Sequence, residues 1–369
     1  MDFDLSEVIL PSEFLQLIRD QKTLIDVRSE IEFSEGHIPG SINLPILKNP
    51  ERILVGTAYK QQGPEAAIKL GHELVSGDTK KERVQAWVET IKNKNVFALT
   101  CFRGGLRSQL AQSWCKEAGI SIPRIQGGTK ALRTFFIEEL FRRIQETPLV
   151  VISGATGAGK SLLLRDPCLQ LPVLDLERIA HHRGSAFGSY PEPQPSQVLF
   201  ENSLSSELIR LEDRLKINNF VLLEDESRLI GKLALPEQLF LKLRESKTIF
   251  VDEILETRTQ NTFDDYILGS ALKTGTREQG LAILDGYRQS LLNISKRLGG
   301  LRTQEALQDL AFSRNAFIEH NELESNKVWI QKILEWYYDP VYTKSIAQRS
   351  VRFAFTGTRS QVLEHLKSY

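Results

Sequence analysis

The stretch PLVVISGATGAGKSLLL, residues 148–164, leaves the chain few ways to fold. An apolar run ends in a glycine-rich turn, and lysine, serine and three leucines follow. Gly154, Gly159, Lys160 and Ser161 satisfy G-x-x-x-x-G-K-[ST], a spacing that works where a strand hands the chain to a helix N-terminus. Backbone N–H groups of 157–161, Gly157 among them, would then surround a diphosphate. Lys160 would neutralise it and Ser161 would reach a magnesium ion. The motif specifies a diphosphate and does not specify ATP. Such a strand needs parallel neighbours, and LPVLDL, FVLLED and KTIFVDE supply them, separated by helical stretches at 197–216 and 236–246. Each of these strands ends in an acid, so Asp175, Asp225 and Asp252 compete to complete the phosphate site. Asp225 is preferred, because EDESRLIG gathers carboxylates, a serine and an arginine just after a strand.

A second loop of this kind lies upstream in FALTCFRGGLRSQLAQ, residues 97–112. NVFALT reads as a strand, and 107–118 as a helix with Leu110, Ala111, Trp114, Cys115 and Ala118 on one face. Cys101 stands between them. Peptide N–H groups and a helix N-terminus lower the pKa of a thiol placed there and favour a nucleophilic thiolate. Arg103 and Arg107 offer planar donor pairs to an oxyanion. Gly104 and Gly105 let several N–H groups converge. Five residues separate Cys101 from Arg107, the spacing of cysteine phosphatase loops; many sulfur-transferring rhodaneses have one fewer. The wider loop suits a tetrahedral, phosphate-like group. Cys115 is expected in the apolar face of its helix and Cys168 in a loop.

The residues before this loop, IDVR…EF…GHIPGSINLP, resemble the rhodanese domain. Asp26 and Arg28 read as a structural ion pair and His37 as a turn residue. With a third strand at IPRIQGG and a helix at TKALRTFFIEELFRRI, residues 1–146 form a rhodanese-like parallel-sheet domain. Residues 147–256 form a P-loop NTPase-like α/β domain. Residues 257–369 read as its mainly helical C-terminal extension. The boundary falls at Thr147-Pro148. Segment 181–197 reads as a loop, and HHRGSAFG within it has two readings. His182, Arg183 and Ser185 close over an anion or a base, or the segment is an ordinary turn.

Lysine plus arginine equals aspartate plus glutamate, 47 each, so a nucleic-acid partner needs a local patch. Three such patches are candidates. Segment 124–143 carries Arg124, Lys130, Arg133, Arg142 and Arg143. Segment 341–369 carries Lys344, Arg349, Arg352, Arg359 and Lys367. Lys296, Arg297 and Arg302 lie in an acid-free stretch. Trp336, Tyr337 and Tyr338 are read either as base-stacking or as helix-packing residues. The three cysteines show no C-x-x-C spacing, so neither a zinc site nor a disulfide framework is expected and a reducing cytoplasm is. The start MDFDLSEVIL lacks the basic residues of a signal peptide, and no apolar run spans a membrane. No oligomeric state is read from the sequence.

The two loops occur together with VGTAYKQQGPEAAIKLGHELV, DLERIAHHRGSAFG, LEDESRLIG and EWYYDPVY. In that combination the chain resembles the tRNA 2-selenouridine synthase family from about residue 23 to 345. The resemblance implies a two-step reaction at the wobble uridine of tRNAs for lysine, glutamate and glutamine. A geranyl group passes from geranyl diphosphate to the sulfur of 2-thiouridine, and selenium from selenophosphate then replaces the geranylthio group. Cys101 matches the family's essential thiol, and Gly154 to Ser161 its phosphate loop. No cofactor beyond these substrates is implied. The first domain is expected to deliver selenium, through a transient Cys101–selenium bond, and the second to alkylate. Two rival readings differ in class: a P-loop kinase or NTPase fused to a cysteine phosphatase-like domain, and a persulfide carrier.

Overall fold

In the computed structural model, which describes residues 7–349 and 352–369, both phosphate-type loops follow the middle strand of a parallel sheet. Residues 1–6, the acidic start discussed above, lie outside the described residues, as do 350–351. The chain divides into two units. The first runs to Glu146 and adds Pro195–Glu212; the second comprises Thr147–Gln194 and Asp213–Tyr369.

In the first unit the strands are β1 (Val8–Ile9), β2 (Thr23–Asp26), β3 (Ile42–Asn43), β4 (Val96–Thr100) and β5 (Arg124–Ile125). All pair in parallel, in the order β1-β5-β4-β2-β3. β4 is central, and its Ala98, Leu99 and Thr100 have no exposure, as expected for a strand covered on both faces. Asp26 and Arg28 form the expected buried pair at 2.7 Å, and Arg28 also donates to the carbonyl of Gly36. His37 stacks on Phe33 in the turn. Three helices, Asn49–Gln62, Pro64–Leu74 and Gly77–Lys94, intervene between β3 and β4.

In the second unit the strands are β6 (Leu149–Ser153), β7 (Val173–Leu174), β8 (Val221–Glu224), β9 (Leu229–Ile230), β10 (Leu233–Ala234), β11 (Lys247–Val251) and β12 (Phe353–Gly357). The main sheet is parallel, in the order β12-β11-β6-β8-β7. β6, the strand before the phosphate loop, is central and fully buried. β9 and β10 form a separate antiparallel pair. The long helices Arg277–Leu298 and Gly300–His320 bury a second core with Trp329, Ile333 and Tyr337. No helix among the described residues is long and apolar enough to cross a membrane.

Two features differ from the sequence division. Helix Gln197–Arg210, inside the 147–256 stretch, packs with the first unit. Its Ile209 packs with Phe14, Leu132 and Phe136, and its Asn202 accepts from Arg133 at 2.8 Å. The mainly helical 257–369 segment also contributes β12 to the main sheet. That strand sits at an edge, alternates half-buried and exposed residues, and so lacks the continuous apolar run of the others.

The loop after β4 is fixed by Gly128, which starts helix Gly128–Glu146 with φ +64°. A Cβ there would come within 2.1 Å of the Cys101 carbonyl oxygen and 2.4 Å of the Gly104 nitrogen. Gly40 also has a positive φ, +78°, with open space around it. Gly128→Ala is therefore expected to cost at least about 3 kcal/mol in urea unfolding, and Gly40→Ala about 1 kcal/mol. Equal costs would show that the loop does not depend on this contact.

Candidate functional site

In the first unit, Cys101 directly follows β4 and the helix Leu106–Glu117 begins five residues later. Thr129 and Lys130 donate backbone N–H groups to the carbonyls of Cys101 and Phe102 at 2.8 and 2.9 Å. Arg124 donates from within the unit to the carbonyl of Gly104 at 3.0 Å. These bonds consume the loop's carbonyls. Among the described residues, nothing accepts from the amides of 103–106, and the first turn of a helix leaves its own N–H groups free. The Cys101 side chain is buried yet forms part of the wall of a cavity of about 810 Å³. Its thiol donates to the Ser108 hydroxyl at 3.2 Å, and that hydroxyl donates to the Gly105 carbonyl at 3.1 Å.

Arg103 and Arg107 both reach this cavity. Arg103 is exposed, and among the described residues it has no carboxylate partner. Arg107 is held by Glu32 through bonds of 2.6 and 3.1 Å. Burial alone would raise the Glu32 pKa; Arg107, the Ser29 amide and Arg52 outweigh it and bring Glu32 down to about 2. Sequence reasoning missed Glu32 and Ser108. The serine directly after Arg107 was a readable signal, whereas Glu32 meets the loop only through the fold. Cys115 is buried as expected, its thiol pushed up to about 12 by burial, and Cys168 is exposed.

In the second unit, the phosphate loop leads from β6 into helix Lys160–Leu164. Gly157 has φ +83°, and a Cβ there would lie 2.6 Å from the Arg258 carbonyl oxygen. Asn261 donates to the Gly157 carbonyl at 2.9 Å. Among the described residues, no acceptor takes the amides of Gly157, Gly159, Lys160 or Ser161. The Lys160 ammonium donates to the Gly154 carbonyl at 2.8 Å. Next to Gly159 lies Arg359: a Cβ at Gly159 would come within 3.3 Å of its Nη1. A Glu253 carboxylate oxygen accepts from the Arg359 backbone N–H at 2.7 Å.

The acid beside Ser161 is Glu177, whose Oε2 accepts from the serine hydroxyl at 2.5 Å. Asp225, the acid preferred from the sequence, lies elsewhere. Asp225 accepts from Arg244 and twice from Arg349, each at 2.8 Å, and from Ser153 at 2.5 Å. Both its oxygens are committed to this ion-pair network. Asp175 caps helix Leu176–Ala180 and pairs with Arg165, and Asp252 is exposed. The Ser161 hydroxyl and the Glu177 carboxylate are oxygen donors suited to a magnesium ion. No group of three or more His, Cys, Asp or Glu side chains among the described residues forms a metal cage.

Segment HHRGSAFG approaches Glu177, the partner of Ser161, and Glu226 through its Gly184. A Cβ on Gly184 would lie 2.5 Å from Glu226 Oε1 and 3.0 Å from Glu177 Oε1. The side chains of His182, Arg183 and Ser185 are turned inward. His182 is buried; burial lowers its pKa, and its Nδ1 accepts from the Gly184 amide at 3.1 Å. Arg183 pairs with Asp265 at 3.0 Å and lies over the rings of Tyr190 and Tyr266. Ser185 bonds the Tyr266 hydroxyl at 2.6 Å. These three shape the loop that covers the two carboxyls.

Several expected tRNA contacts are also committed elsewhere. Arg124 and Arg143 are buried, Arg133 and Arg142 are ion-paired, and Arg349 holds Asp225. Tyr337 packs in the helical core with Trp336 and Tyr338 against it. Lys296, Arg297 and Arg302 remain exposed at the turn between the two long helices.

The geometry is that of a rhodanese-like cysteine domain joined to a phosphate-loop α/β domain. Residues 10–134 match the rhodanese-like domain model, and residues 147–369 match the tRNA 2-selenouridine synthase AAA domain model. The chain is 45% identical to a tRNA 2-selenouridine synthase of Bdellovibrio bacteriovorus, with 98% of each chain covered. It is 46% identical to one of Nitrosomonas europaea, with 94% of each covered, and 44% identical to one of Nitrosomonas eutropha, with 96% of each covered. The chain belongs to the tRNA 2-selenouridine synthase family.

Glu226 is buried against Glu177, and burial, then the charge of Glu177, pushes it up to about 8 despite Lys160. Between its ordinary value of 4.5 and about 8 the folded protein holds a proton that the unfolded chain has released. This group therefore makes stability fall as pH rises through that window. Glu226→Gln is expected to raise the melting temperature above the parent's at about pH 8.5 and to narrow the difference at about pH 5. A variant less stable than the parent at about pH 8.5 would contradict this.

Proposed function

We propose that the chain converts 2-thiouridine at the wobble position of tRNAs for lysine, glutamate and glutamine into 2-selenouridine in two steps. In the first, the phosphate loop holds the diphosphate of geranyl diphosphate. Free amides, the Lys160 ammonium and Arg359 stabilise the departing diphosphate, and the thiouridine sulfur takes the geranyl carbon. A magnesium ion held at Ser161 and Glu177 would add positive charge there. In the second step, the Cys101 loop receives selenophosphate.

Alkylation prepares the second step, because a thioether at C2 leaves as a thiolate and makes C2 more electrophilic. A balanced route starts with attack of the Cys101 thiolate on phosphorus. The S–P bond forms, the P–Se bond breaks, and hydroselenide departs. Hydroselenide then adds to C2 and the geranyl thiolate leaves. Water cleaves the S–P bond and returns phosphate and the thiol. Attack on selenium, to give a Cys101–selenium bond, would instead expel phosphorus in the phosphite oxidation state. Once the thiol is deprotonated, the Ser108 hydroxyl turns its hydrogen from the Gly105 carbonyl to the sulfur and stabilises the thiolate, both before attack and on release. The observation that carries the reading is the placement of Cys101, hydrogen-bonded to the buried Ser108, at the wall of an open cavity in a loop of phosphatase spacing.

The test incubates purified protein with thiolated tRNA, geranyl diphosphate and selenophosphate, and identifies the nucleosides by mass spectrometry. Cys101→Ser is expected to accumulate geranylated thiouridine with no 2-selenouridine. Lys160→Ala is expected to lose geranyl transfer by about a hundredfold or more. Full selenium incorporation by Cys101→Ser would refute its role. ATP hydrolysis that needs Lys160 but not tRNA would favour the NTPase reading, and a stable Cys101 persulfide without nucleoside product would favour the carrier.

A further inference from the structure

The cavity beside Cys101 is far larger and more apolar than an oxyanion requires. Its volume is about 810 Å³, within the range of pockets that hold whole organic ligands. One wall is the loop with Cys101, Arg103 and Arg107. Helix Asn49–Gln62 and helix Pro64–Leu74 also line the cavity and present Ile53, Val55 and Ile68. Ile53 and Ile68 are 62% and 43% exposed, although the same helices have polar faces available to water. Exposed apolar side chains gathered around one cavity mark a binding surface. A small, triply oxygenated anion such as selenophosphate gains nothing from them.

The charges at the rim narrow the occupant further. Lys60 and Arg103 both line the cavity, and among the described residues neither has a carboxylate partner. Arg52 and Arg107 share Glu32. The occupant therefore combines an aliphatic group, for the helix wall, with anionic groups, for the rim. Resting on the two-step reading above, we infer that this cavity binds the alkylated intermediate itself. The S-geranyl-2-thiouridine of the tRNA lies with its hydrocarbon chain against Val55 and Ile68 and its backbone phosphate toward Arg103 and Lys60. The thioether carbon is thereby brought to the side of the cavity where Cys101 releases selenium. The apolar wall selects tRNA that has completed the first step, so unalkylated thiouridine, whose sulfur leaves poorly, does not occupy the selenium site.

The test measures binding, without selenophosphate, of fluorescent anticodon stem-loops that carry S-geranyl-2-thiouridine or S-methyl-2-thiouridine to the full chain. The geranyl form is expected to bind at least about tenfold more tightly. In Ile68→Asp that preference is expected to fall below about threefold, while Ile68→Val keeps it; thermal melts confirm that both variants fold. Equal affinities in the parent, or an undiminished preference in Ile68→Asp, would overturn the inference. Addition of selenophosphate to the same mixtures reports separately on the two-step reading. Absence of 2-selenouridine alongside a preference that needs Ile68 would count against the reaction and not against the pocket.

Discussion

Both units depend on the same constraint: a central parallel strand must pass its chain to a helix N-terminus through a turn whose amides stay free. The turn is possible because its carbonyls are occupied from outside. In the first unit Thr129, Lys130 and Arg124 take the carbonyls of the Cys101 loop; in the second Asn261 and Lys160 take those of the phosphate loop. Glycine is required where neighbouring backbone crosses, at Gly128 in one case and Gly157 in the other. An anion arriving at either turn meets donors already aimed and pays little to reorganise them.

The loops were legible because each is local. Strand, glycines, nucleophile or lysine and helix lie within about one supersecondary unit, and their spacing carries the geometry. The main sheets were legible for the same reason: VVIS, FVLLE and TIFV are continuous apolar runs, the signature of strands covered on both faces. Strand β12 was not, since an edge strand alternates and its segment reads as a basic patch. Likewise the helix Gln197–Arg210 has an ordinary amphipathic sequence; only Ile209 against Phe14 and Phe136 shows which unit it completes.

The partners of the site residues were less legible, for a different reason. Asp225 and Glu177 both follow buried strands, and sequence cannot say which carboxylate turns to Ser161 and which to arginines distant in the chain. Arg349, the deciding group, was counted among exposed cations. His182, Arg183 and Ser185 lie in the right loop, but their hydrogen bonds run inward and only Gly184 approaches the carboxyls. Charge counts suffered in the same way, since Arg124 and Arg143 are buried structural groups. An arginine in a basic run carries no mark of whether an acid far along the chain already holds it.

The chemistry assigned to the two turns is complementary. One carries a fixed ammonium and a hydroxyl beside a carboxylate, suited to a departing diphosphate. The other carries a thiol beside a hydroxyl, at the edge of an apolar cavity, suited to a tetrahedral donor and an alkylated acceptor. The central claim is that these are separate sites serving consecutive steps. The most direct measurement supplies tRNA already geranylated on its thiouridine, with selenophosphate alone, to the Lys160→Ala protein. The account predicts 2-selenouridine formed at the parent's rate, because the diphosphate site has no remaining task. A loss of selenium incorporation comparable to the loss of geranyl transfer would contradict it.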